Sequence, residues 1–157
     1  MNRATAPNID YGCLEIQAHS DWVWQLHENQ SYLGRVIFRL RRVDLGSLVD
    51  CTPHEWVSLR DSITSYEAII ESLFHPDRFN YGQLGNTYHQ LHVHAVPRYR
   101  EIRTWRGIEF RDQRWGRNWS PTPKSPLRLQ QTYELARFLR ECIESLQSTV
   151  AASENPS

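Results

Sequence analysis

No excess of one charge marks this chain of 157 residues: Lys and Arg together number 18, and Asp and Glu also number 18. Proteins that grip nucleic acid by its backbone carry a basic surplus, so a general DNA or RNA binder is excluded. A local basic pocket for a small anion is not. Cysteine is scarce as well. Cys13, Cys51 and Cys142 lie far apart, are odd in number and form no CxxC pair, which excludes a zinc ribbon and a disulfide scaffold. No apolar run reaches the length that spans a bilayer. The start, Met1 to Pro7, lacks the apolar centre of a secretory signal. There is no internal repeat and no low-complexity segment. Together these absences give the expectation of a cytoplasmic protein with no nucleic-acid and no membrane partner.

What is present fits one domain over 1–157, with a core over about 10–150 and frayed ends. Asp21 to His27 has the alternation of a strand, with Trp22, Trp24 and Leu26 on one side. Glu28-Asn29-Gln30-Ser31 reads as a polar turn. Arg35 to Leu40 alternates Val36, Phe38 and Leu40 against Arg35, Ile37 and Arg39, a second strand that closes a hairpin. Thr52-Pro53-His54-Glu55 supplies an N-cap, a proline at the first helical position and a capping-box glutamate. Trp56, Leu59, Ile63, Tyr66, Ile70 and Leu73 then recur at spacings of three and four, and Pro76 stops the helix. Strands follow near 79–83 and 90–96, joined through Gly85-Asn86-Thr87. A loop-rich stretch with Trp105, Trp115 and Trp119 leads to a last helix over about 127–150, whose apolar face carries Leu135, Leu139, Cys142, Ile143 and Leu146. The order β-β-α-β-β-α predicts an α+β fold, an antiparallel sheet of about five strands with two helices.

The chemistry concentrates in Gln90-Leu91-His92-Val93-His94-Ala95-Val96-Pro97-Arg98. On a strand His92 and His94 share one face with Gln90, while Leu91, Val93 and Ala95 face a core. Pro97 is expected to end the ladder, with Arg98 a fixed cation just beyond. Two aligned imidazoles fit three readings: satisfied surface histidines, a metal site completed by His89, or a nucleophile with a hydrogen-bonding neighbour. Geometry alone leaves all three open.

The flanking residues separate them. The run Leu84-Gly85-Asn86-Thr87-Tyr88-His89-Gln90-Leu91-His92-Val93-His94-Ala95-Val96-Pro97-Arg98-Tyr99 resembles the signature of the histidine-triad superfamily, His-φ-His-φ-His-φ-φ with φ apolar, often followed by Pro-Arg. The nearest likeness is to bacterial members described as diadenosine polyphosphate hydrolases. The resemblance implies that His92 is the middle histidine, which attacks an α-phosphate and forms a nucleotidyl-histidine, and that His94 assists. Gln90 stands where the first histidine is expected, and its amide would orient His92. Asn86 and Thr87 are implied to meet the phosphates. Asn29, in competition with His27 and Glu28, would hold the ribose hydroxyls, and Arg98 is a candidate phosphate neighbour. The implied activity is hydrolysis of nucleoside phosphates or dinucleoside polyphosphates. The alternatives are a catalytically weak nucleotide-binding protein and a nucleotidyl transferase. No metal or cofactor is obligatory, Mg²⁺ coming with the substrate. A homodimer is expected on the same ground.

Overall fold

A computed structural model describes residues 9–153, with side chains described through 149. Seven strands and two long helices form in it: β1 (Glu15–Ala18), β2 (Trp22–Leu26), β3 (Val36–Leu40), α1 (Pro53–Phe74), β4 (Arg78–Gly82), β5 (His92–Arg98), β6 (Arg103–Trp105), β7 (Ile108–Phe110) and α2 (Leu129–Ser153). Five strands make one antiparallel sheet in the order β1-β2-β3-β5-β4, and β6 pairs with β7 in a separate hairpin. This is the α+β arrangement read from the sequence, with β1 and the β6–β7 hairpin added. No helix among the described residues is long and apolar enough to cross a membrane.

Alternation along the strands divides the sheet into two faces. Trp22, Trp24, Leu26, Val36, Phe38, Leu40, Leu91, Val93 and Ala95 are buried in one core with Leu59, Tyr66, Ile69, Ile70 and Phe74 of α1 and Leu135 and Leu139 of α2. The opposite face is left for the site. Thr52 caps α1: its Oγ1 accepts from the Glu55 N–H, and Glu55 Oε2 accepts from the Thr52 N–H. The same glutamate binds Arg42 at 2.7 Å, and the Arg42 hydrogen bonds hold its carboxyl at about 2, well below the usual range. The Trp22 indole donates to the Glu55 carbonyl at 2.9 Å, fastening the helix start to β2.

The buried stripe of α1 is rotated from the expected one. Trp56 is 44% exposed, and Ser58 and Ser62 are buried instead. Small side chains let the helix lie close to the sheet, and Ser62 satisfies its hydroxyl on the Ser58 carbonyl at 2.8 Å. The segment read as a polar turn is buried in its second half, at Gln30 and Ser31, while Glu28 stays exposed. Gln30 is fully enclosed; its Nε2 donates to the His27 and Arg35 carbonyls at 2.7 and 2.8 Å, and its Oε1 accepts from the Gly34 N–H at 2.9 Å. One carboxamide thus braces the whole connection from β2 to β3. Gly34, at φ +84°, sits where a side chain would be strained and would press on Ile70.

Pro97 does not end the ladder. Pairing of β5 with β3 stops at Ala95, but pairing with β4 runs on through Pro97 opposite Phe79 and Arg98 opposite Arg78. Proline is tolerated because the β3 side has already let go. Within α2, Leu146 is 53% exposed and lies beyond the core. The helix itself continues through Ser153; the rest of the expected frayed tail, and residues 1–8, lie outside the described residues.

Candidate active site

The strand registers build a grid on the open face of the sheet. Gln25 pairs with Ile37, which pairs with His94, in one row; Val23, Arg39 and His92 form the next. His27 donates its N–H to the Arg35 carbonyl at 3.0 Å, which extends the grid by one more row. Above this face lies an open cavity of about 790 Å³, a size that suits a small organic ligand. Its floor carries His92, His94, His27, Gln25, Ile37 and Arg39; Glu15 and Glu28 stand at its sides; Leu84 to Tyr88, with Tyr11 and Gly12, form the rim.

His92 is buried at its base, and its Nδ1 lies 2.7 Å from the backbone carbonyl of Gln90. A carbonyl only accepts, so Nδ1 carries the proton and Nε2 keeps its lone pair. The rings of His92 and His94 meet edge to face at 5.0 Å, and Tyr88 lies 5.6 Å from His92. Burial first, then the Arg35 guanidinium and His92, lower the His94 pKa to about 4. His94 is therefore neutral at pH 7, and its buried Nδ1 has no protein partner among the described residues. His27, 5.9 Å from His94, is pushed further, to about 2, by burial and then by Arg35. Its Nδ1 accepts the Asn29 N–H at 3.0 Å, so the 3.5 Å approach of Glu28 to the same atom is a contact of a neutral ring. Arg35 itself is 5% exposed. Among the described residues its side chain makes a single long bond, 3.4 Å to Thr122 Oγ1, and its Nε is unpaired.

The sequence candidates divide. The structure brings His92, His94, Asn86 and Thr87 to one cavity. Gln90 reaches His92 through its backbone alone; its side-chain amide turns the other way and donates to the Leu40 and Arg42 carbonyls at 3.1 and 2.8 Å. Asn29 is not part of the cavity wall. Its Nδ2 donates to the Pro123 carbonyl and its Oδ1 accepts from the Ser31 N–H, while His27 and Glu28 face the cavity in its place. Arg98 is 4% exposed and uses all five of its donors: two to Asp112, one to Asn80, and one each to the carbonyls of Arg117 and Arg114. A guanidinium so occupied has nothing left for a phosphate. It pins the segment 111–126, whose Trp119 lies against Gly82, the β4 partner of His94. Gln25, Glu15 and Arg39 escaped the sequence reading. Alternation of β2 and β3 already put Gln25 and Arg39 on the face opposite the tryptophans, and the missing step was pairing that face with β5.

Solved structures of the same shape give this arrangement a context. A histidine-triad protein from Sinorhizobium meliloti 1021 superposes with a TM-score of 0.66 at 20% identity, over 82% of this chain and 87% of that one. Another from Marinobacter aquaeolei VT8 gives 0.63 at 20% identity, over 84% and 89%. The fold is that of the histidine-triad proteins. A diadenosine triphosphate hydrolase from Plasmodium falciparum, solved with cyclomarin A, shares the same fold at 11% identity and a TM-score of 0.63, over 92% of this chain and 90% of its own. No family model and no curated protein matches the sequence. Within this histidine-triad fold, His92 and His94 stand on β5, between β3 and β4, beneath the cavity.

Proposed function

We propose that this protein is a nucleotide phosphohydrolase that cleaves nucleoside phosphates or dinucleoside polyphosphates at the α-phosphate, with His92 as nucleophile. The observation that carries the reading is the 2.7 Å contact of His92 Nδ1 with the Gln90 carbonyl, which in the neutral ring leaves the Nε2 lone pair free for a residue that lines the cavity. In the first step the Nε2 lone pair attacks the α-phosphorus. The bond from phosphorus to the bridging oxygen breaks, and the leaving phosphate departs with that electron pair. Neutral His94 offers an N–H to the phosphoryl oxygens rather than a charge. Asn86 and Thr87, exposed on the rim with no side-chain partner among the described residues, meet the phosphates in this reading. Water then attacks the phosphorus, the P–N bond breaks, a proton is released and His92 is regenerated. No metal is needed for the covalent step, and Mg²⁺ bound to the polyphosphate is compatible with it. A pair of identical chains is the assembly we infer from the shared fold, with sedimentation velocity as its check.

The fold shared with a diadenosine triphosphate hydrolase supports the substrate class. The direct test uses substrate labelled at the α-phosphate, quenched in alkali and assayed for acid-labile label on the protein. Label and turnover are expected in the natural protein and are lost in His92→Ala. Turnover that survives unchanged in His92→Ala would sink the mechanism. Binding of nucleotide without label or products would leave a binding protein, and label passed to a phosphate acceptor in preference to water would make it a transferase.

A further inference from the structure

The wall of the cavity away from the histidines is polar where an aromatic base would need only an apolar slot. Gln25 is 7% exposed and lines the cavity, yet its side-chain amide has no hydrogen-bond partner among the described residues. The polar end of the side chain is not sealed in: the amide opens on the cavity, with its donors and acceptor free for a ligand. Beside it, on the neighbouring strand, Glu15 is its register partner and also lines the cavity. Arg39 Nη2 holds Glu15 Oε1 at 3.1 Å, which fixes the carboxylate and leaves its second oxygen to accept further bonds. Gln25 lies two strands from His94 in the same row, about 10 Å away at ordinary strand spacing. A ribose fits between.

We infer that Gln25 and Glu15 read the hydrogen-bonding edge of the base and select guanine over adenine, an inference that rests on the nucleotide reading above. The chemistry follows from the wall's donors and acceptors. A carboxylate only accepts, and guanine offers it two adjacent donors, the ring N1–H and the exocyclic N2 amino group. The next atom along that edge is the O6 acceptor, to which the Gln25 amide donates. Adenine places a lone pair at N1, facing the carboxylate. A site built to make such bonds discriminates more sharply than an apolar slot, because adenine sets its N1 lone pair against the carboxylate and offers no acceptor to the amide.

Calorimetric binding of GMP and of AMP, as unreactive probes, tests this on the whole protein. GMP is expected to bind roughly tenfold or more tightly than AMP. Glu15→Gln, on a half-exposed side chain, and Gln25→Leu should each lower the GMP-to-AMP ratio toward one, with circular dichroism confirming that both variants fold. Equal affinities for the two probes, preference for AMP, or a ratio unmoved by both substitutions would overturn the guanine assignment and leave the nucleotide reading standing. Failure of both probes to bind would overturn the two together.

Discussion

Replacing Gln90 by leucine asks whether its side chain takes part in chemistry or only in holding the strand. The amide donates two hydrogen bonds, to the Leu40 carbonyl at 3.1 Å and to the Arg42 carbonyl at 2.8 Å. Each such bond contributes about 0.5–1.5 kcal/mol, so Gln90→Leu should cost about 1–3 kcal/mol. The Arg42 bond is exposed, which places the expected loss in the lower half of that range. For a chain of this length the melting temperature should fall by roughly 2–4 °C per kcal/mol. The bond from His92 Nδ1 goes to the Gln90 backbone and survives the change. The turnover number, measured well below the melting temperature, should therefore fall less than about tenfold, since the ground-state tautomer is kept. Urea unfolding gives the stability term, and single-turnover decay of an α-labelled substrate gives the rate. A thousandfold loss of rate in a variant that melts within a few degrees of the parent would refute the backbone-orientation argument. It would mean that the amide itself handles a proton or a phosphoryl oxygen.

Two further predictions follow from buried charge. The pKa values of His94 and His27 in the fold, about 4 and about 2, lie below the ordinary 6.5. The unfolded chain thus binds protons that the fold refuses, and stability should fall as pH drops from 6.5 toward 4. Denaturant midpoints at pH 7 and pH 5 measure this, and His94→Asn should reduce the difference without abolishing it, because His27 remains; a midpoint independent of pH over that span would count against neutral, buried rings. Asp112, whose carboxylate is fully buried against Arg98 at 2.7 Å, should be costly to remove. Asp112→Ala leaves a buried guanidinium uncompensated and is expected to lose about 3–5 kcal/mol in urea unfolding, whereas a loss under 1 kcal/mol would show the guanidinium reaching water.

Local signals carried much of this architecture. The capping box at Thr52–Glu55 and the alternation at Val36-Phe38-Leu40 state their structure in adjacent residues, and both elements are where those patterns put them. Strand β1 is four residues long with a register irregularity between Glu15 and Gln17, too short for alternation to register. The β6–β7 hairpin had a readable cue. Arg106 and Gly107 both adopt positive φ, the two-residue turn that such hairpins favour, but the surrounding tryptophans and prolines made the stretch look irregular. The α1 stripe was misplaced because apolar spacing is blind to buried serines. At the site, the histidine pair was legible because both residues sit on one strand. Asn29 and Arg98 were misassigned for a common reason. Their partners, Pro123 and Asp112, are distant in sequence, and a polar side chain's destination depends on what the fold brings to it.

The bracing of residues 27–35 by Gln30 bears on how a ligand would enter. Backbone and side-chain bonds already fix the wall that carries His27, so binding there orders nothing new and loses little conformational entropy. The rim at residues 83–89 is different. Exposed over Asn86 to His89, it is tied by a 3.3 Å bond from Gln83 to the Gly46 carbonyl and by a contact of His89 with the Gly85 carbonyl. A molecule settling in the cavity would meet one preorganised side and one that must be quietened. Arrival should then be governed by diffusion to an open mouth, and residence time by how well the guest's phosphates immobilise Asn86 and Thr87.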